Sequence, residues 1–273
     1  MYCYLELNKL QYLIMYNSLQ QREIFHLEFL RWFSHKVDAK YYALKGGVNM
    51  RFFFNSLRYS EDMDIDVSGL SIEVLQDMVL EVLLAQSFSN IFKSYGISSV
   101  IAPDITKAKQ TETTQRFKIH LITFAGEDLF TKIEFSRRGL KKGILVQSVS
   151  DQILRSYKLI PLLIPHYNIK SAIIQKIDAV ASRSVVQARD IYDLYILNSQ
   201  FTDTEITEFE IIEKDKLEKA YNNVFVVTFE LFRDSVVSYL SPEEQIIYGK
   251  DSSWDEIRLK AANLIGEFRR EHE

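Results

Sequence analysis

A single cysteine, Cys3, stands among 273 residues, so no internal disulfide can form, and the chain suits a reducing compartment such as the cytosol. No apolar run reaches the roughly 18 residues that would cross a bilayer. The stretch from Leu159 to Ile164 is short and interrupted by Pro161. The first residues lack a charged segment followed by an apolar one, so no secretory leader is expected. No tract of low complexity and no internal repeat is present. A surplus of positive charge is also missing. The formal net charge of −4 argues against a general nucleic-acid coat and leaves room only for a local basic patch. The five histidines, His26, His35, His120, His166 and His272, lack metal-ligand spacing, and Cys3 has no triad context. There is no G-x-S-x-G, no Walker loop and no dinucleotide fingerprint. What remains is an apolar, aromatic chain, 47% hydrophobic with 18 Phe and 15 Tyr, hence globular and long enough for one large domain or two modest ones.

Apolar residues at three- and four-residue steps (Leu10, Leu13, Ile14, then Ile24, Leu27, Leu30, Phe33) predict a helix or helical pair over 7–36. Tyr41 to Leu44 reads as a short strand ending at Lys45-Gly46-Gly47, and Val48 to Phe54 as a helix directly after the glycines. Met63 to Val67 reads as a strand, and Ser71 to Ala85 as a helix. Phe117 to Leu121, Lys132 to Ser136 and Ile144 to Val149 follow as strands. Beyond about residue 150 the patterns predict helix to the end: Ile173 to Ser182, Ala188 to Leu197, Tyr221 to Leu240 and Trp254 to Phe268. Pro161 and Pro165 punctuate the join. The expected architecture is α+β, a mixed sheet flanked by helices over residues 1–150 and a helical bundle over 151–273.

The chemistry concentrates at Asp62, Asp64 and Asp66. On a strand, alternate residues share a face, so the three carboxylates point one way and Met63 and Ile65 the other. Acids that close repel one another and resist desolvation. A hard divalent ion, taking one or two carboxylates plus substrate phosphates, is the simplest reason to keep them. A calcium loop is excluded, because Val67 stands where the EF-hand pattern needs glycine. Glycines between strand and helix allow close approach of a phosphate to a helix N-terminus. Lys45 and Arg51 are candidate cations for the same anion, although Gly46-Gly47 alone could equally be a tight turn. Glu134 lies on the face opposite Ile133 and Phe135. If its strand neighbours the acidic one, it joins Asp62 and Asp64 in a cluster able to hold two Mg²⁺; otherwise it is a surface residue paired with Lys132 or Arg137. Lys176, Arg183, Arg189 and Asp190 read by themselves as a salt-bridge-laced helix pair. The run Arg137-Arg138-Gly139-Leu140-Lys141-Lys142 is either a solvated turn or a contact for a phosphate backbone.

Taken in order, Lys45-Gly46-Gly47, Arg51, Arg58-Tyr59-Ser60-Glu61-Asp62-Met63-Asp64-Ile65-Asp66, Ile133-Glu134-Phe135, Lys176 and Ala188-Arg189-Asp190-Ile191-Tyr192-Asp193-Leu194 resemble the AbiEii/AbiGii toxin nucleotidyltransferases. The resemblance spans roughly residues 40–200. It implies a polymerase-β-like fold in which Asp62 and Asp64, with Glu134 in support, hold Mg²⁺ or Mn²⁺. Lys45, Gly46, Gly47, Arg51, Ser60 and Lys176 would contact the nucleotide, and Asp190 would orient it or the acceptor. Asp66 is a further family acid without a settled role. The implied activity is transfer of a nucleoside monophosphate from an NTP to an acceptor, RNA such as tRNA among the candidates. The implied setting is a cytoplasmic toxin encoded beside a cognate antitoxin, with no membrane. The reading from a different class is a nucleotide- or RNA-binding regulator that uses the same pocket without turnover.

Overall fold

The computed structural model describes residues 16–201 and 212–270. The expected helical positions Leu10, Leu13 and Ile14 lie outside the described residues. Helix α1, Ser18–Ser34, starts at Asn17, whose side chain accepts from the Gln20 amide while the Gln20 side chain accepts from the Asn17 amide. This capping box satisfies two of the donors that a helix N-terminus leaves open. Strand β1, Tyr42–Lys45, leads directly into α2, Gly46–Phe53. A loop then delivers the chain to β2, Asp62–Val67. Next come α3, Ile72–Leu84, capped by Ser71, and α4, Gln86–Ile91. Strands β3, Ile97–Ile101, β4, Thr114–Thr123, β5, Asp128–Ser136, and β6, Ile144–Ser148, follow. The short α5, Asp151–Ser156, precedes β7, Leu163–Tyr167. The remaining described elements are helical: α6, Ile169–Ser182; α7, Ala188–Asn198; α8, Lys214–Val224; α9, Phe229–Ser235; α10, Pro242–Tyr248; and α11, Asp251–Arg270.

The seven strands form one mixed sheet in the order β3-β4-β5-β2-β1-β7-β6. β2 runs antiparallel to β1 and parallel to β5, so the acidic strand sits at the middle of the sheet. Two expectations are corrected here. Helix was expected from residue 150 onward, but the sheet continues to Tyr167. Strand β7 carries Pro165 opposite Val146 and lies between β6 and β1, where proline, lacking an N–H, is unusual. Its register with β1 is limited to Leu44 opposite His166, which leaves Pro165 outside that ladder. β3 was not anticipated at all. Its sequence, Ile97-Ser98-Ser99-Val100-Ile101, does not alternate, and only Ile97 is fully buried.

One hydrophobic cluster lies between the sheet and helices α1, α3 and α4, with Phe25, Phe29, Phe33, Phe88, Phe92, Phe117, Phe135 and the β2 residues Met63 and Ile65 inside it. A second cluster joins the helices after residue 169 around Trp254, Tyr192 and Phe232, and takes in Met50 and Phe54 from the α2 region. Helix α2 is therefore the hinge piece, with Val48 and Phe52 in the first core and Met50 in the second.

Candidate active site

Cross-strand register builds the site in rows. Arg116, Glu134, Asp64 and Lys45 stand side by side across β4, β5, β2 and β1, and Lys118, Lys132 and Asp62 form the next row. Residues paired in register share a face, so Glu134 does stand directly beside Asp64. The acids are interleaved with cations. Lys132 Nζ lies 3.0 Å from Asp62 Oδ2, and Arg116 Nε donates to Glu134 Oε2 at 2.7 Å. Lys132 also approaches Glu134, at 3.9 Å.

Asp64 is different. Among the described residues its carboxylate has no hydrogen-bond or ion-pair partner. Burial raises its carboxyl above the ordinary range, Lys45 and Lys132 work against that rise, and Glu134 and Asp62 add to it. Its Oδ2 lies against the turn into α2, so a Cβ built on Gly46 would meet it at 2.6 Å. Gly46 also has φ +68°, a conformation that costs an L residue about 1–2 kcal/mol. Both reasons demand glycine there. Gly47 is required by contact alone, since a Cβ would come within 2.8 Å of Ser60 Oγ and 2.9 Å of Arg58 Nη2. Lys45, the N-cap of α2, supplies no side-chain cap. The first turn of α2 thus lies against Asp64 at Gly46 and against Ser60 and Arg58 at Gly47, and backbone amides, a hydroxyl and a guanidinium are groups suited to phosphate oxygens.

Not every expected contact residue turns toward these groups. Lys45 Nζ pairs with Asp66 at 2.5 Å, and Asp66 also accepts from the Tyr167 hydroxyl at 2.8 Å. Asp66 is 5% exposed, so its place in the structure is that of a buried anchor for Lys45. Arg51 is engaged through Nε and Nη2 with Glu23, at 2.7 and 3.3 Å, and through Nη1 with the carbonyls of Ser56 and Leu57. Its guanidinium lies 4.3 Å from the Tyr59 ring centre. These bonds fix the loop that carries Arg58 and Ser60. The Ser60 hydroxyl donates to the Asp62 carbonyl at 2.8 Å. Arg137, at the head of the basic run, donates to Gln115 Oε1 and the Leu70 carbonyl, at 2.8 and 2.6 Å, and so ties the end of β5 to β4 and to the loop before α3.

The helical half brings a second charged group. Lys176 on α6 lies 3.0 Å from Asp190 Oδ1 and 2.5 Å from Asp193 Oδ2 on α7, and Arg183 Nε lies 3.0 Å from Asp190 Oδ2. Arg58 Nη2 approaches Asp193 Oδ2 at 3.9 Å and links this group to Gly47. Burial alone would discharge Lys176, but Asp193 and Asp190 hold its ammonium above the usual lysine range. Burial likewise opposes the Asp190 carboxylate, and Lys176 and Arg183 reverse that effect. The sequence reading assigned no role to Arg58, Asp193 or Arg116, and named Lys132 only as a partner of Glu134, which it approaches while its closer partner is Asp62. Arg58 and Asp193 stood inside quoted motifs, whereas the strand partnership of Arg116 leaves no local signal.

A divalent ion can be tested against these side chains. Among the described residues, no three carboxylate, imidazole or thiol groups gather into an ion-binding set. Glu134 stands in the right row, but its carboxylate is held by Arg116. Asp62 and Asp64 do fit a hard cation: both offer oxygen, they share a face, and Asp64 is a desolvated acid that forms no direct ion pair among the described residues. Mg²⁺ is commonly held by one or two carboxylates with phosphates completing the shell, so a two-acid set suffices where a triphosphate binds.

A mixed sheet with paired aspartates on its central strand, a glycine turn behind them and a helical half closing in defines a nucleotidyltransferase. The model of the family described as nucleotidyl transferase AbiEii toxin, type IV toxin–antitoxin system, matches residues 28–253, and the chain belongs to that family. Among solved structures, the MenT4 nucleotidyltransferase toxin from Mycobacterium tuberculosis H37Rv superposes with a TM-score of 0.62 at 14% identity, covering 93% of this chain and 88% of its own. JHP933 from Helicobacter pylori superposes with a TM-score of 0.59 at 18% identity, covering 94% of each chain. No curated protein sequence matches the chain. Among the described residues no helix is long and apolar enough to cross a membrane.

Proposed function

We propose that the protein transfers a nucleoside monophosphate from an NTP to an acceptor hydroxyl, and that it does so as the toxin of a two-component system whose antitoxin restrains it. Asp64 is the observation that carries the reading: a buried acid kept without a direct ion pair, wedged against a glycine turn, beside a second acid on the same face. In the proposed step the acceptor oxygen bonds to the α-phosphorus while the bond to the pyrophosphate oxygen breaks. The pyrophosphate leaves with that electron pair, and the hydroxyl proton is released to water. Asp62 and Asp64 would hold Mg²⁺ or Mn²⁺, which supplies charge neutralisation at the triphosphate when bound. The Gly46 and Gly47 amides, the Ser60 hydroxyl and Arg58 would receive phosphate oxygens. Lys176 would face the phosphate tail from the helical half, held charged by Asp190 and Asp193, which act through it. Glu134 would support the acids once Arg116 releases it. Lys45 and Arg51 would act indirectly, by fixing β1 and the loop before β2. Family membership supports an NTP substrate and an antitoxin partner, and a cytoplasmic setting agrees with both. The test is release of pyrophosphate from each NTP in the presence of total RNA, with Asp64→Asn as the inactive control. Release that survives this substitution overturns the assignment.

A further inference from the structure

The two edges of the sheet differ. On β3 the register with β4 shifts between Ile97 and Ser99, an irregularity of the kind that blunts an edge against further pairing. On β6 the ladder with β7 runs without interruption, and the strand Ile144-Leu145-Val146-Gln147-Ser148 holds no charge, proline or glycine. Leu145 and Val146 are 43% and 55% exposed, and among the described residues no strand pairs with the outer side of β6. The bonds at its two ends show which backbone groups face outward. The Gly143 carbonyl accepts from the Asn168 amide at 2.8 Å, and the Val149 amide donates to the Leu162 carbonyl at 2.9 Å. In an antiparallel ladder the amide and carbonyl of one residue point the same way, and those of the next residue point the other way. Gly143, Leu145, Gln147 and Val149 therefore face β7, whereas Ile144, Val146 and Ser148 direct their amides and carbonyls away from the sheet. A regular, apolar edge with open backbone groups is a template for another strand.

We propose that β6 pairs antiparallel with β6 of a second copy of this chain, about a two-fold axis at Val146. A strand laid beside its own copy in this way exchanges both bonds at the central Val146 pair and sets Ile144 opposite Ser148 on either side. All three outward-facing residues are then satisfied in each copy. The flanks suit self-pairing as well. The same register brings the exposed Lys141, before β6, against the exposed Asp151, after β6, of the second copy. Within its own chain Asp151 has a loose surface ion pair with Arg155, at 3.6 Å. A different protein would have to supply these complementary charges, whereas this chain carries both. Each copy uses its β6 edge in the contact, so the assembly closes at two. Ile144 lies opposite Tyr167, whose hydroxyl bonds Asp66, so Ile144, Val146 and Ser148 share the face of the acids. A two-fold axis perpendicular to the sheet keeps like faces together. The dimer thus carries one continuous sheet with both acid sites on the same side, and seven strand spacings from β2 to its copy set them about 34 Å apart across the sheet. This inference is independent of the transferase reading.

The test is sedimentation velocity of the full-length protein from nanomolar to hundred-micromolar concentration, with hydrogen exchange followed by mass spectrometry over the same range. A reversible dimer is expected, in which the peptide carrying β6 is protected and loses that protection on dilution. Val146→Lys sets two like charges opposite each other at the axis and is expected to weaken association at least about a hundredfold. Val146→Pro removes two of the new hydrogen bonds, one from each copy and none to β7, and is expected to weaken association about thirtyfold. Ile101→Lys, on the β3 edge, is expected to dimerise like the unmodified protein. Lysine and proline are ordinary residues at an exposed strand edge, and thermal melting checks that each variant keeps its fold. A protein that stays monomeric over the whole range overturns the proposal and leaves the edge to the strand of a different protein. So does a dimer that both Val146 variants leave intact, or one that Ile101→Lys disrupts as much as they do.

Discussion

Replacing Asp64 by asparagine should do two opposite things at once. The side chain keeps its shape, so its contact at Gly46 persists. What disappears is a charge that lacks a partner, is partly desolvated, and stands opposite Glu134 across β2 and β5. Like charges facing each other on neighbouring strands cost about 0.2–1 kcal/mol, and relief of desolvation adds to that gain. A stabilisation of about 1 kcal/mol is therefore expected without metal, or about 2 °C in melting midpoint for a chain of this size. The sign can be followed with pH. The folded carboxyl titrates above its ordinary value of 3.8, so its penalty is fully present above the folded value and absent once both states are protonated. The advantage of asparagine should accordingly shrink as pH falls toward 3.8. Adding Mg²⁺ and a non-hydrolysable NTP should invert the order, because a ligand at ten times its dissociation constant stabilises by about 1.4 kcal/mol and only the aspartate protein can use it. Scanning calorimetry in EDTA and then with ligands, together with pyrophosphate release, reads all three effects. An asparagine variant that is less stable in EDTA, or that gains as much from Mg²⁺ and nucleotide as the parent, would refute the idea that Asp64 is kept for a cation.

Gly46→Ala should lose about 1–2 kcal/mol from its left-handed backbone alone. Its Cβ also displaces the Asp64 carboxylate, so transfer should fall about a hundredfold; denaturant unfolding and pyrophosphate release check the two effects separately, and near-parental activity would rule out the wedge. Lys176→Met removes the shared cation of two buried aspartates and should cost about 3–5 kcal/mol. Adding Asp193→Leu should restore much of that stability without restoring transfer, and a double variant no more stable than the single one would contradict the pairing. Lys132→Met frees Asp62 from a cation 3.0 Å away. Partly exposed pairs of this kind are worth about 0.2–1 kcal/mol, so Mn²⁺ should bind roughly two- to fivefold more tightly in a spectroscopic titration, and weaker binding would show that Lys132 does not compete for the site.

The sequence carried the local geometry of the site but not its partners. The period-two placement of Asp62, Asp64 and Asp66 sets a common face wherever the strand is paired, and Gly46-Gly47 announces a turn that no other residue could make there. Glu134 was legible as a conditional, because alternation gives its face while only the parallel pairing of β2 with β5 gives its neighbour. Lys45 and Arg51 were read as phosphate contacts because both are cationic and close to the glycines. Their actual companions lie on other elements: Glu23 reaches Arg51 from α1, and Asp66 of β2, itself held by Tyr167 from β7, pairs with Lys45. Strand β7 was hidden by the same prolines that suggested a boundary. Proline chemistry argues against a central strand, and only the short ladder with β1 shows how the sheet tolerates Pro165.

The interleaving of acids and cations sets how the ligands must cooperate. Over the rows nearest the glycines stand four cations, Lys45, Arg116, Lys118 and Lys132, against four acids, Asp62, Asp64, Asp66 and Glu134, so the charges of these side chains balance and the face folds without strong self-repulsion. A divalent ion alone would leave this face with a surplus of positive charge, and a triphosphate alone with a surplus of negative charge. Bound together, each offsets the surplus created by the other, and linkage requires the gain in affinity to be the same in both directions. The pairs Lys132–Asp62 and Arg116–Glu134 then have a role that a pure acid cluster could not fill. On the proposed reading they would keep the carboxylates in register before an ion binds and would leave cations facing the phosphates when it has.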